Sequence, residues 1–266
     1  MSTPTISASQ VKELRDQTGA AMMECKRALV EAEGDLDEAR RILRERGLAA
    51  AGKRAGRETT EGKVLARVED KVGTLAAVGC ETEPVSKNEE FLAFARNVLD
   101  AVHEHGPDAV EELEDERLEL IGKIGENIVI TGSARFEAQE DEVLSAYIHP
   151  PAEKIGVLVR AKGSPELARL IAMHISFANP RFLAREEVPE GELAEERAIY
   201  ERLDEVASKP EHIRPQIVEG MVAKRFFAEN VLLDQPWIHD PSLTVGKALA
   251  EHGAAVREFV RYNVGG

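Results

Sequence analysis

Several features that mark common protein classes are missing from this sequence of 266 residues. Its two cysteines, Cys25 and Cys80, lie far apart and outside any C-x-x-C pair, so neither a disulfide framework nor a zinc site is predicted. No apolar run approaches the roughly 20 residues of a membrane-spanning helix. The polar start, MSTPTISAS, lacks the basic and apolar regions of a signal peptide. We therefore predict a cytoplasmic protein with no membrane segment, no metal and no cofactor.

The sequence patterns of the common enzyme classes are missing too. The stretch GRETTEGKV resembles a phosphate-binding loop, but five residues separate its glycines instead of four, and Val64 stands where Ser or Thr would bind magnesium. There is no G-x-S-x-G, H-E-x-x-H or G-x-G-x-x-G motif. His149, in a turn before two prolines, is a candidate general base, but without a visible orienting carboxylate a contact role is favoured. No catalytic residue is predicted.

Positive charge is scarce, with 34 Lys and Arg against 49 Asp and Glu and a formal net charge of -15. Attraction to phosphate backbones needs clustered basic residues, so direct nucleic-acid binding is not expected. One basic run stands out, RRILRERGLAAAGKRAGR at residues 40–57. It could touch RNA or an acidic protein surface, but a solvated helix face followed by a linker is the favoured interpretation.

Three short helices are predicted at the start of the chain. Ser7 and Gln10 form a capping box that opens the first. The second, at about residues 21–33, carries one apolar stripe formed by Met22, Cys25, Leu29 and Ala32. The third begins at the cap residue Asp35 and is predicted to end at Gly47.

Met23 lies well off that stripe, because one residue along a helix is a rotation of about 100°. We expect it to face outward beside Val30, and exposed methionine is an adaptable contact surface. The alternative is that Met23 covers a neighbouring domain of the same chain, and the pattern alone does not separate the two.

The apolar period then changes from helical to strand-like. Alternation on both sides of EDKVG predicts a β-hairpin, and Ser86 with Glu89 predicts a capping box that opens a helix. The same order returns in LSAYIHPPAEKIGVLVRAKGS followed by PELARLIAMHISFA, whose His174 is predicted to be a satisfied core residue. We therefore predict an α+β core of two related β-hairpin-plus-helix subdomains. A helix near 113–122 and a strand at 128–130 lie between them.

Apolar residues on both sides of SKPEH predict a helical hairpin arm turned at Lys209-Pro210. The final REFVRYNVGG is predicted to be a strand that returns to the second sheet. The predicted organisation is a helical domain at 1–50, a linker at 51–62, a core N-subdomain at 63–140, and a core C-subdomain at 141–266 with the hairpin at about 190–226.

Several motifs in one order resemble a known family. The segment LRDQTGAAMMECKRALVEAEGDLDEA is similar to the opening domain of bacterial translation elongation factor Ts, and CETEPVSKNEEF to that family's T-D-F-V motif. The segments KIGENI, YIHPPAEKIGVLV, IAMHI, KPEHI, IVEGMVAKRFF and LLDQPWI continue the likeness. It extends from about Ile6 to Val264, which is nearly the whole chain.

The resemblance implies a guanine-nucleotide exchange factor for elongation factor Tu, in its GDP-bound and nucleotide-free forms, with a first domain like the ubiquitin-associated domain. In the family that domain grips the partner's nucleotide-binding domain, and the central motif approaches its magnesium and phosphate site. The implied contacts of the first domain are Arg15, Met22, Met23 and Lys26. The implied magnesium-displacing residues are Thr82, Glu83, Pro84 and Val85. Further implied partner contacts are Ile124, Gly125 and His149.

The central motif departs from the family pattern at two positions. Glu83 stands for the usual Asp, and Pro84 replaces the aromatic ring that wedges between partner side chains. Proline should push Glu83 toward extended geometry and offers less apolar area to insert. Ala21, where the family usually has glycine or serine, is a milder change. The alternative function is therefore a relative that holds elongation factor Tu without exchanging its nucleotide.

Overall fold

The described part of the chain in the computed structural model, residues 6–266 without the side chains of Leu48 and Ala50, is an α+β protein. Its helices are α1 (Ala8–Thr18), α2 (Met22–Glu31), α3 (Leu36–Arg54), α4 (Glu83–Ser86), α5 (Glu89–His105), α6 (Glu114–Ile124), α7 (Pro165–Ala178), α8 (Glu190–Glu201), α9 (Asp204–Ala207), α10 (Arg214–Met221), α11 (Ala228–Asn230) and α12 (Val245–Glu251). Its strands are β1 (Glu61–Glu69), β2 (Val72–Cys80), β3 (Ile128–Glu137), β4 (Glu142–Ile148), β5 (Ile155–Lys162), β6 (Pro236–Trp237), β7 (Asp240–Thr244) and β8 (Ala255–Asn263).

The first three helices form a bundle with its own core, as predicted. The Ser7–Gln10 capping box is present at the start of α1, and the Asp35 carboxylate caps α3 by accepting two backbone N–H groups. Leu14, Cys25 and Leu29 are fully buried between the helices. This core is small, so the bundle by itself would be only marginally stable.

The prediction that Gly47 ends the third helix is wrong. α3 continues to Arg54, so residues 51–54 of the predicted linker are helical. Gly47 lies where α3 crosses α6, and a Cβ placed on Gly122 would be 2.9 Å from its Cα. Two glycines allow this close approach of backbones, and Ala51 in the added turn is buried in the core of the first sheet. Gly47 therefore allows α3 to pack closely against α6 and does not end the helix.

The first sheet is antiparallel in the order β1-β2-β3. The predicted hairpin is confirmed, with Glu69 paired to Val72 across a two-residue turn. The third strand extends well beyond the predicted 128–130, because the polar segment after Ile130 pairs along the length of β2. α5 covers one face of the sheet with Phe91, Phe94 and Val98.

The predicted capping box of Ser86 with Glu89 is wrong. Asn88 caps α5, because its side chain accepts the backbone N–H groups of Glu90 and Phe91. Ser86 is buried and its hydroxyl donates to the carbonyl of Glu83 at 2.7 Å. The helix near 113–122 is confirmed in α6, which ends two residues later than expected.

The second sheet has the order β4-β5-β8, so the final strand returns to it as predicted. α7 and α12 cover its outer face. Its inner face packs against the first sheet through Val64, Leu75, Leu158 and Val264. Gly156 lies at this contact, where an added Cβ would stand 2.4 Å from Cγ1 of Val64.

The arm is a separate unit with its own apolar core. α8 and α9 lead to the predicted turn at Lys209-Pro210, and α10 returns along α8 into a π-helical turn at Val222–Phe227. Tyr200, Val206 and Val218 are among the residues that it buries. The helical hairpin is therefore confirmed.

His174 is fully buried, as predicted. Its Nδ1 lies 3.4 Å from the backbone N–H of Ile238, and its Nε2 lies 2.9 Å from Oε1 of Gln235. Because Nδ1 must accept from a backbone donor, the proton lies on Nε2. Both ring nitrogens of the neutral imidazole are thus satisfied.

Residues 6–266 contain neither a membrane-spanning helix nor a cluster of metal-ligating side chains. None of their helices is both long enough and apolar enough to cross a membrane. They contain no cluster of three or more His, Cys, Asp or Glu side chains with the geometry of a metal site.

Candidate partner-binding surface

The turn between α1 and α2 presents two adjacent methionines. Gly19, which caps the end of α1, has a φ of 65°, and α2 begins at Met22. Met22 is 55% exposed and Met23 is 57% exposed. The outward orientation of Met23 is confirmed, so it does not cover another part of this chain. The placement of Met22 on the buried stripe is wrong, because the stripe's covered part begins one turn later at Cys25.

The two basic residues predicted beside the methionines are also exposed. Arg15 lies in the last turn of α1, where its carbonyl accepts the backbone N–H of Gly19 at 2.7 Å. Lys26 lies one helical turn after Met22. Residues four apart share a helix face, so this end of the bundle offers an apolar patch edged by positive charge.

The segment predicted to disturb the partner's magnesium site begins at a carboxylate clamp. Glu126 accepts the backbone N–H groups of Glu81 at 3.1 Å and of Thr82 at 3.0 Å, and the Thr82 hydroxyl at 2.6 Å. Gly125, just before it, has a φ of 87° and closes α6. The clamp therefore joins Thr82 directly to the corner formed by Ile124 and Gly125.

The prediction that Pro84 makes Glu83 extended is wrong, because both lie in the helical turn α4. Proline is tolerated in a first helical turn, where its missing N–H has no intrahelical acceptor. Thr82 is the extended residue, with φ -128° and ψ 152°. Pro84 is exposed, and Val85 is half-buried against the core of the first sheet. Val85 thus anchors the turn that presents Glu83 and Pro84.

Glu83 is exposed and its carboxylate accepts a hydrogen bond from Nζ of Lys87 at 2.6 Å. This hydrogen bond and the charge of Lys87 lower the pKa of the Glu83 carboxyl, and the charge of Lys154 acts in the same direction. Glu83 is therefore ionised at neutral pH, which is the form that can compete for a divalent cation.

His149 follows β4 in a turn that meets the first sheet. Its backbone N–H donates to the Ile155 carbonyl, and the Tyr147 hydroxyl lies 3.2 Å from its Nδ1. In residues 6–266 the ring has no carboxylate partner, so nothing there orients it as a general base. Lys154 in the same turn pairs with Glu61 at 3.1 Å, which places the turn beside the start of β1.

The basic run at 40–57 is largely neutralised within the chain. Arg40, Arg41 and Arg46 each pair with a carboxylate of the helical domain, and Arg44 pairs with Asp115 and Glu119 of α6. These pairs favour the interpretation as a helix face over a nucleic-acid surface.

Sequence reasoning missed the side chains that hold the predicted residues in place. These are Lys87, Glu90, Lys123 and Glu126. One signal was available, since Glu126 directly follows a glycine that was itself singled out. The clamp partner, however, is 44 residues away in sequence.

The chain is similar over its length to proteins of one family. A family model described as Elongation factor TS matches residues 81–266. Elongation factor Ts of Psychromonas ingrahamii is 43% identical, covering 98% of this chain and 91% of that protein. Elongation factor Ts of Pasteurella multocida and that of Escherichia coli O139:H28 are 42% and 41% identical, each covering 98% of this chain. The relatives match the first 80 residues as well as the region of the family model.

Proposed function

We propose that this chain, which belongs to the elongation factor Ts family, is a cytoplasmic guanine-nucleotide exchange factor for elongation factor Tu. The observation that carries the proposal is the turn at Thr82–Val85, which is clamped by Glu126 and presents an ionised, exposed Glu83. The exposed Met22–Met23 pair supplies a second contact surface on another domain. In this proposal the factor binds the GDP-bound partner and then holds its nucleotide-free form.

Exchange of this kind requires no covalent chemistry. The factor must bind the partner without nucleotide and magnesium more tightly than it binds the GDP form. Reversing a 1:99 ratio of two states to 99:1 takes about 5.5 kcal/mol of differential binding. Contacts spread over several segments can supply such a difference, which fits the absence of a catalytic motif in the sequence.

The roles in this proposal follow the residues' positions. Arg15, Met22, Met23 and Lys26 grip the partner's nucleotide-binding domain, since they form one exposed end of the helical bundle. Glu83 enters the region of the partner's magnesium and phosphates, where its negative charge competes for the cation. Ile124, Gly125 and His149 are additional contacts in this proposal, and the Glu126 clamp holds the first two near Thr82.

Pro84 gives the proposal its specific form. A pyrrolidine ring offers less apolar area than a phenyl ring, so insertion between partner side chains contributes less here. We propose that exchange relies on Glu83 and the methionine pair to a correspondingly greater extent. If it did not exchange nucleotide at all, the chain would be a stabilising partner of elongation factor Tu, and Pro84 is the one feature that favours this second candidate.

The test is release of fluorescent GDP from the cognate elongation factor Tu with the factor at one-twentieth of the GTPase concentration. An exchange factor turns over, so all the labelled GDP leaves at an accelerated rate when unlabelled GDP is in excess. A stabilising partner would affect at most the stoichiometric fraction. Release no faster than without the factor would refute the proposed function.

A further inference from the structure

One lysine side chain bridges the helical domain and the core. The ammonium group of Lys123, near the end of α6, pairs with the carboxylate of Glu90 in the first turn of α5. Its stem lies across Gly19, so that Cε is 1.9 Å from the position where a Cβ on that glycine would be. A Cβ at this position would force the stem to move, and the φ of 65° favours glycine there as well.

Each of these three residues adjoins a segment of the proposed site. Gly19 lies three residues before Met22, Glu90 lies in the first turn of the helix that follows the Thr82–Val85 turn, and Lys123 directly precedes Ile124. The Lys123 side chain therefore contacts residues near two of these segments, and Lys123 itself adjoins the third.

Apart from Lys123, the contact between the helical domain and the core is close on one side and open on the other. α3 and α6 touch closely at Gly47 and Gly122, but a cleft of about 1040 Å³ separates the α1–α2 corner from α5. Thr18 and Ala21 line one side of this cleft, and Phe94 lines the other. The contact between the helical domain and the core is therefore one-sided, and Lys123 spans its open side.

We infer that Lys123 is a positioning residue, which holds the methionine pair at a fixed distance from the Thr82–Val85 turn. This inference rests on the proposed function, because it describes how two contact surfaces are preorganised for one partner. Preorganisation lowers the entropy lost on binding. Loss of Lys123 should therefore raise the factor concentration for half-maximal exchange and leave the rate at saturation unchanged.

The size of the effect follows from the exposure of the pair. The side chains of Lys123 and Glu90 are 36% and 44% exposed. Exposed ion pairs correspond to roughly a two- to fivefold change in an equilibrium constant. We expect Lys123→Met, which keeps the stem over Gly19, to raise the half-saturating concentration by about twofold, within that range. Lys123→Ala, which also removes the stem, should raise it by about fivefold or more.

The exchange assay uses these two variants together with Glu90→Gln and the double variant Lys123→Met/Glu90→Gln. If the ion pair acts as one unit, the half-saturating concentration of the double variant is no higher than that of either single variant. Lys162→Met is the matched control, because Lys162 forms a comparable exposed pair with Asp141 at 3.0 Å on the second sheet. Independent effects of the two single substitutions, or an equal effect of the control, would overturn the inference.

A second measurement separates this inference from the proposed function. Spin labels at Arg27 in α2 and Glu104 in α5, both exposed, report the distance between the helical domain and the core in the free protein. Lys123→Ala should broaden that distance distribution, whereas Lys162→Met should not. If wild type fails to release GDP, the proposed function falls while the distances still test the bridge. An unchanged distance distribution in Lys123→Ala would refute the positioning role of Lys123, whatever the GDP-release assay shows.

Discussion

Removal of the Glu126 carboxylate should release the turn that presents Glu83. In the folded protein this carboxylate accepts three hydrogen bonds, from the backbone of Glu81 and from the backbone and hydroxyl of Thr82. Hydrogen bonds to a charged group contribute about 1.5–3 kcal/mol each when both partners are shielded from water. Thr82 is exposed, so water replaces much of what is lost in Glu126→Ala. We take the lower end for the whole clamp, about 1.5 kcal/mol, which is roughly tenfold in the population of the ordered turn.

The two substitutions of Glu126 should differ in a defined direction. In Glu126→Gln the amide oxygen can still accept both backbone N–H groups, and the amide NH₂ can donate to the Thr82 hydroxyl oxygen, so the three contacts are kept and only the negative charge is lost. Glutamine should therefore disturb the turn less than alanine, because it keeps neutral hydrogen bonds that alanine removes. Glu251→Gln, an exposed glutamate at the end of α12, is the control for loss of one negative charge.

Two assays measure the effect. Hydrogen exchange of the Thr82 amide reports the clamp directly, and GDP release from elongation factor Tu reports its consequence. In Glu126→Ala, protection of the Thr82 amide against hydrogen exchange should fall about tenfold, and the rate of GDP release should fall by a similar factor. The free energy of global unfolding should change little. If the Thr82 amide remains as protected as in wild type, the clamp does not order the turn. If protection falls but GDP release does not, the turn's order is irrelevant to exchange.

Three further predictions concern other parts of the molecule. Pro84→Phe should speed GDP release at equal factor concentration, because the phenyl ring restores apolar area for insertion, while Pro84→Ala should not; equal rates for the two variants would end the wedge argument. Gly156→Ala should lower the free energy of unfolding by about 1–3 kcal/mol, because its Cβ would stand 2.4 Å from Cγ1 of Val64, whereas Gly191→Ala, with open space around it, should change it by less than about 1 kcal/mol; denaturant titration measures both. Burial lowers the pKa of His174 below its ordinary value of 6.5, so the unfolded chain binds the proton first as the pH falls. The stabilising effect of the neutral ring is complete above pH 6.5 and decreases below it; His174→Gln should flatten the pH dependence of unfolding between pH 7.5 and 5, and an unchanged slope would show that other groups cause it.

Local sequence signals predicted most of the elements correctly where the deciding contacts are themselves local. The Ser7–Gln10 capping box, the Asp35 cap and the β1–β2 hairpin all involve residues within a few positions of one another. Alternation of apolar residues identified both halves of the core, and the turn at Lys209-Pro210 was marked by its proline. The α+β class and the helical hairpin followed from these elements.

The errors arose where a distant part of the chain overrides a local signal. Glycine is common just after a helix, which is why Gly47 was predicted to end α3. However, Gly122 packs against Gly47, and Ala51, one turn further on, is buried in the core of the first sheet, so the helix continues. Serine is a common helix cap, which is why Ser86 was predicted to cap α5. However, Ser86 is buried, and Asn88 caps the helix instead. Residues after Ile130 are too polar to read as a strand, yet β2 supplies their hydrogen-bond partners.

The sequence by itself determined which segments carry the candidate contacts, because motif residues such as Met23 and Glu83 are adjacent to the signals that mark them. Only the tertiary structure decided how those segments are held together. Glu126 reaches Thr82 across 44 residues, and Lys123 reaches Gly19 across more than a hundred. The Glu126 clamp and the packing of the Lys123 stem over Gly19 correspond to no periodic pattern in the sequence. Their geometry arises only when the folded chain brings distant residues within a few ångströms.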